Sequence, residues 1–104
     1  MKNTSQVKVG DNRGRRRVWL EGKRLIGFGF HHQAAYTVTY ADGIVIARVA
    51  EGTADSRKVA GSEQRPILDI CSNKVGVALS GADRADVLYE DGFITVTAAK
   101  EASA

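Results

Sequence analysis

The side chains in this sequence best suited to chemistry are six basic residues near its start. Arg13, Arg15, Arg16 and Arg17 form one run, and Lys23 with Arg24 follows shortly after. A guanidinium presents several N–H donors in a planar fork that matches phosphate oxygens, and an ammonium adds a compact point charge. Their density matters more than any one of them. Residues 1–24 hold eight Lys or Arg against Asp11 and Glu21, a net +6, while the whole 104-residue chain carries only +3. The rest of the chain is therefore acidic by three, and such an uneven balance points to a polyanion or an acidic protein surface as the partner.

Other reactive residue types are weaker candidates. His31 and His32 are adjacent, so in an extended chain they point to opposite sides; one of them could act as a general base near neutral pH. No acid or nucleophile accompanies them at a telling spacing, so an exposed loop pair is expected and an enzyme is not. Cys71 is the single cysteine, which excludes an intrachain disulfide and leaves no zinc spacing; an inert buried thiol is expected, with no metal and no cofactor. Gly27-x-Gly29 lacks the third glycine and the long preceding strand of a dinucleotide fingerprint. Trp19 could stack on a base, but its place between Val18 and Leu20 favours the core.

Two hairpins position these residues. Tyr36 to Val49 alternates apolar and polar residues around Asp42-Gly43, a pair that favours a two-residue type I′ turn. Ala41 then faces Ile44, which places Tyr36, Val38 and Tyr40 on one face with Val45, Ala47 and Val49. The motif returns at an offset of 49 as Tyr89-Glu-Asp-Gly-Phe93, with Ala85, Val87 and Tyr89 facing Ile94, Val96 and Ala98.

The preceding segments repeat as well. Val18 to Glu21 reads as a strand stopped by Gly22, and Pro66 to Ile70 as its copy, with Trp19, Leu20 and Glu21 matching Ile67, Leu68 and Asp69. Lys23 to Ile26 fits one helical turn. Its counterpart is a short helix capped by Ser72 or Asn73, in which Val75, Val77 and Leu79 answer Ile26, Phe28 and Phe30. A unit of strand, short helix and hairpin cannot cover both its faces alone, so two copies predict mutual completion in a mainly-β, pseudo-two-fold barrel.

The expected organisation is one domain: a flexible basic arm over 1–14, repeat one over 17–49, a connection over 50–65, repeat two over 66–98 and a tail over 100–104. The arm would order itself on phosphates. No apolar run reaches the roughly 18 residues of a membrane span and no signal segment opens the chain, so a cytoplasmic setting is expected.

Leu20-Glu-Gly22, Leu25, Gly29-Phe30, Tyr36-Thr-Val38 and Gly43-Ile-Val-Ile46 together resemble the AbrB/SpoVT swapped-hairpin superfamily, especially its SymE-like toxin branch. Gln33 stands where that pattern tends to have Gly before the hairpin, and Arg24 where it often has Trp. The resemblance implies two half-units that complete one swapped-hairpin barrel, within one chain or through a homodimer, and a basic face that binds DNA. The leading expectation is a non-enzymatic, DNA-binding transcriptional regulator that contacts nucleic acid through Arg13, Arg15, Arg16, Arg17, Lys23 and Arg24. A small inhibitor, carried by a mobile element and acting on a host nuclease or defence complex, is the second expectation. A SymE-like toxin that targets RNA is the third.

Overall fold

The computed structural model describes residues 3–50 and 56–99. The expected tail over 100–104 and the start of the expected connection, 51–55, lie outside the described residues. The chain is mainly β, with ten strands and two short helices among the described residues. In order they are β1 (Thr4–Lys8), β2 (Gly10–Asn12), β3 (Arg15–Glu21), α1 (Arg24–Gly27), β4 (Ala35–Ala41), β5 (Ile44–Val49), β6 (Arg57–Lys58), β7 (Ala60–Gly61), β8 (Pro66–Cys71), α2 (Asn73–Ala78), β9 (Arg84–Glu90) and β10 (Phe93–Ala98).

The strands form two sheets that do not close into the expected barrel. One has six strands in the order β1-β9-β10-β5-β4-β6, and the other four in the order β2-β3-β8-β7. Strand alternation explains the core between them. Val18 and Leu20 of β3, Leu68 and Ile70 of β8, Val45 and Ala47 of β5, and Ile94 and Val96 of β10 are all buried. Leu25, Phe30, Val75 and Leu79 join them from α1, α2 and the residues that follow each helix.

Both hairpins have the register read from the sequence. Ala41 pairs with Ile44 and Tyr36 with Val49, and in the second copy Tyr89 pairs with Ile94 and Ala85 with Ala98. The expected type I′ turn is not formed: Gly43 has a positive φ of 81° but Asp42 does not, and Gly92 and Asp91 behave alike. A tertiary contact accompanies this geometry. The Gly43 amide donates to the Ala78 carbonyl at 2.8 Å, and the Gly92 amide to the Phe28 carbonyl at 2.9 Å, so each turn docks on the helix of the other repeat.

The two-fold relation can be read from the pairing alone. Across the junction of the hairpins Ile46 pairs with Thr95, its own copy at the 49-residue offset. In the other sheet Leu20 pairs with Leu68, its copy at the offset of 48. The pseudo-dyad passes through both pairs.

The repeat also extends further than the sequence suggested, and the flexible arm is corrected by it. Residues 4–12 are not an arm: β1 pairs along β9 in the large sheet, and β2 pairs with β3 in the small one. The chain changes sheets between them at buried Val9, whose amide donates to the Asp83 carbonyl at 2.8 Å. Part of the expected connection copies this. β6 pairs with β4, β7 with β8, and the chain changes sheets at buried Val59, whose amide donates to the Ala34 carbonyl at 3.0 Å. Each segment covers a sheet edge that would otherwise present unpaired backbone groups.

Candidate nucleic-acid interface

β3 carries most of the basic run, and its period of two divides that run between faces. Arg15, Arg17, Trp19 and Glu21 lie on the outer face of the four-stranded sheet, with Cys71, Asp69 and Ile67 opposite the last three. Arg16 points the other way, with Val18 and Leu20.

The six predicted residues have three different fates. Arg16 and Arg17 are held by carboxylates of this chain. Arg16 donates from Nη1 to Asp11 at 3.2 Å, and from Nη2 to Asp83 at 3.1 Å and to the Ala82 carbonyl at 2.8 Å. It thereby ties β3 to β2 and to the loop before β9. Arg17 makes a bidentate pair with Asp69, at 2.8 and 3.0 Å, and its guanidinium lies 4.9 Å from the centre of the Trp19 ring. The Asp69 hydrogen bonds raise the Arg17 pKa above its already high value, against the opposing effect of burial.

Arg13 and Arg15 form the second group. They flank the turn between β2 and β3, both are exposed, and neither makes an ion pair among the described residues. Arg13 and Gly14 have φ of 55° and 83°, so the type I′ geometry expected at Asp42-Gly43 occurs here instead. Lys23 and Arg24 form the third group at the far end of β3. Lys23 is the exposed residue just before α1, and the Arg24 guanidinium lies 5.0 Å from the centre of the Tyr89 ring. Six strand intervals of about 3.3 Å separate Arg15 from Glu21, so the two groups that lack an ion pair among the described residues sit roughly 20 Å apart.

The pseudo-dyad adds two cations that the sequence reading missed. The Ser72 amide donates to the Arg16 carbonyl at 3.2 Å, which brings the first turn of α2, with Lys74, to the end of β3 that carries Arg15. At the opposite end of the strand pair the Gly22 amide donates to the Pro66 carbonyl at 3.1 Å, and Arg65 lies 3.5 Å from Glu21, two residues before Lys23. Arg24 over Tyr89 is answered by Lys74, whose Nζ lies 5.7 Å from the centre of the Tyr40 ring. The signal was present in the repeat: Arg17 aligns with Arg65 as Glu21 aligns with Asp69.

Three further readings are corrected. Trp19 is 40% exposed rather than buried, and its indole N–H donates to Glu21 at 2.9 Å. Cys71 is half-buried on the same outer face, 3.9 Å from the Asn12 amide nitrogen, rather than enclosed in the core. The matching of Phe28 with Val77 shifts by one residue, because α2 is longer than α1 and the hairpin-turn bonds align Phe28 with Ala78. His31 is exposed and bonds the His32 carbonyl at 3.2 Å. Among the described residues no three His, Cys, Asp or Glu side chains are grouped to hold a metal ion, and no helix is long and apolar enough to cross a membrane.

No family model, curated protein or solved structure matches the chain.

Proposed function

We propose that this chain is a non-enzymatic, cytoplasmic nucleic-acid-binding protein, a transcriptional regulator that engages duplex DNA with the outer face of its four-stranded sheet. One observation carries the reading. The pseudo-dyad relates the two ends of the β3–β8 pair and each end carries cations, Arg13, Arg15 and Lys74 at one and Lys23, Arg24 and Arg65 at the other, on either side of exposed Trp19, with Arg24 and Lys74 as copies of each other. A double helix is itself two-fold related, so paired basic corners suit its two phosphate backbones. The resemblance to the swapped-hairpin superfamily adds support, since its members commonly bind DNA with a basic face of two completed half-units. In this chain both half-units are internal, and a monomer serves as its own pseudo-dimer.

Phosphate contacts give the expected measurement. Six cations, each worth about −0.9 in the slope of log affinity against log salt, set a ceiling of about −5, and leaning over tyrosines lowers what Arg24 and Lys74 contribute, as the Glu21 contact does for Arg65. β1 and β2 are built into the two sheets, so point substitutions, which leave the strands in place, test the reading. Titration of a duplex across a salt series is expected to give a slope of about −3 to −5. Arg15→Ala is expected to reduce it by about one unit, and Arg16→Ala to change it little. Absent or salt-independent binding would overturn the proposal.

A further inference from the structure

The two helix–hairpin contacts are copies, yet one is filled and the other is open. In the first, the Phe28 ring stacks on Tyr89 with centroids 5.7 Å apart, and the Phe28 carbonyl accepts the Gly92 amide. In the second, the carbonyl in the same role belongs to Ala78, which accepts the Gly43 amide. A methyl group therefore stands where a phenyl ring stands in the other half. The result is a groove of about 430 Å³ beside Tyr40, lined by Ala41, Asp42, Asn73, Lys74, Val77 and Ala78. Val77 on its wall is 79% exposed, far more than any other large apolar side chain of the chain among the described residues.

We infer that this groove binds the aromatic side chain of a partner polypeptide, carried on an acidic segment. The aromatic part follows from the copy, where the equivalent space holds a phenyl ring packed on the equivalent tyrosine. An apolar recess beside a tyrosine is also the kind of pocket in which a single aromatic anchor concentrates binding energy. The acidic part follows from charge. Lys74 stands over Tyr40, Arg57 donates to the Tyr40 hydroxyl at 3.4 Å, and the Ser72–Arg16 bond brings the free cations Arg13 and Arg15 to the same end of the molecule. Against these, Asp42 is the single carboxylate in the lining. The pocket is thus apolar within and cationic at its rim, and the mostly carbon lining offers a nucleobase few partners for its polar edges. The inference differs from the duplex-binding proposal in its ligand chemistry, although Lys74, Arg13 and Arg15 serve both, and the peptide titration reads the groove with no DNA present.

The test is a titration of the ¹⁵N-labelled protein with the peptide acetyl-Glu-Asp-Phe-Asp-Glu-amide, to about 1 mM because one anchor gives only weak affinity. Shifts are expected at the amides of Tyr40, Lys74, Val77 and Ala78, with one site per chain. Replacing the peptide's Phe by Ala is expected to weaken binding about tenfold or more. Ala78→Phe supplies the missing ring from within and is expected to abolish binding. Val77→Asp changes a solvent-exposed position, keeps the fold, and is expected to weaken binding about tenfold or more through repulsion and lost apolar contact. The inference is overturned by unchanged affinity in Val77→Asp, or by shifts that ignore the anchor and follow Arg13 to Arg17. It is equally overturned by an absence of shifts, or by a short oligothymidylate that occupies the groove when the peptide does not.

Discussion

The outer face of the small sheet holds one ion pair twice. Arg17 and Asp69 are related by the pseudo-dyad to Arg65 and Glu21, yet the first pair is bidentate at 2.8 and 3.0 Å while the second is a single contact at 3.5 Å. Arg17 lies within a strand, between β2 and β8, with the Trp19 ring beneath its guanidinium. Arg65 lies in the loop before β8, is 75% exposed along its side chain, and has Ile67 where its copy has Trp19. The same pair of residue types thus serves two ends. Where strand and aromatic ring hold the arginine in place, its charge is spent within the molecule; where the backbone is a loop, the charge faces outward. The helix–hairpin contacts differ in the same way, with Phe28 closing one and Ala78 leaving the other open.

The largest expected effects test whether the halves are equal at the axis. Leu20 and Leu68 are both buried and pair with each other, so Leu20→Ala and Leu68→Ala are each expected to cost about 3 kcal/mol of unfolding free energy, measured by urea denaturation. The double variant is expected to cost less than their sum, because the two share one cavity. Costs that differ by more than about 1 kcal/mol would mean that the core is less symmetric than its pairing.

Phe28→Ala makes the closed contact resemble the open one. The ring is partly buried and stacked, so a loss of about 2 kcal/mol is expected in the same measurement. No loss would show that the stack on Tyr89 contributes nothing to the fold.

Asp69→Asn is expected to release Arg17 and so to bring it into phosphate binding. The salt slope for duplex should steepen by about 0.9, whereas Glu21→Gln, at the loosely held copy, should change it less. Equal responses would contradict the contrast between strand-held and loop-borne arginine.

The smallest effect concerns a residue present in one half only. Tyr36 is buried where its copy is Ala85, and burial raises its hydroxyl pKa above the usual 10.0, partly offset by Arg57. The folded chain therefore holds this proton to higher pH than the unfolded chain does. Stability is unaffected below about pH 10 and falls as pH rises from there toward the folded value. Tyr36→Phe is expected to flatten that alkaline decline in thermal unfolding measured from pH 9 upward, and an unchanged decline would assign it to other groups.

Much of the scaffold was legible in the residues alone. Strict alternation and the echo of Tyr-x-Asp-Gly set both hairpin registers, because one slipped residue would turn the whole apolar face to solvent. The paired copies of strand and helix predicted two-fold completion, and Ser72 does cap α2, its hydroxyl accepting the Lys74 amide at 3.1 Å. Gln33, just before the first hairpin, holds φ of 69°, a backbone region that favours glycine and that its residue type does not announce.

Four things depended on residues far apart in the chain. Residues 4–12 look like a polar arm because their strands are short and half-exposed, and they become strands only where β9 and β3 offer edges. The basic run looks like one cluster, but strand alternation and the distant carboxylates Asp69 and Asp83 divide it into bound and free arginines. Trp19 alternates like a core residue, yet its position on β3 turns it outward. The open groove at Ala78 could not be seen without the hydrogen bonds that align Ala78 with Phe28, because the sequence offset falls one residue away. Local pattern is set by the period of the strand and is carried in the sequence; the partner of a charge, or the emptiness of a contact, depends on which distant segment packs beside it.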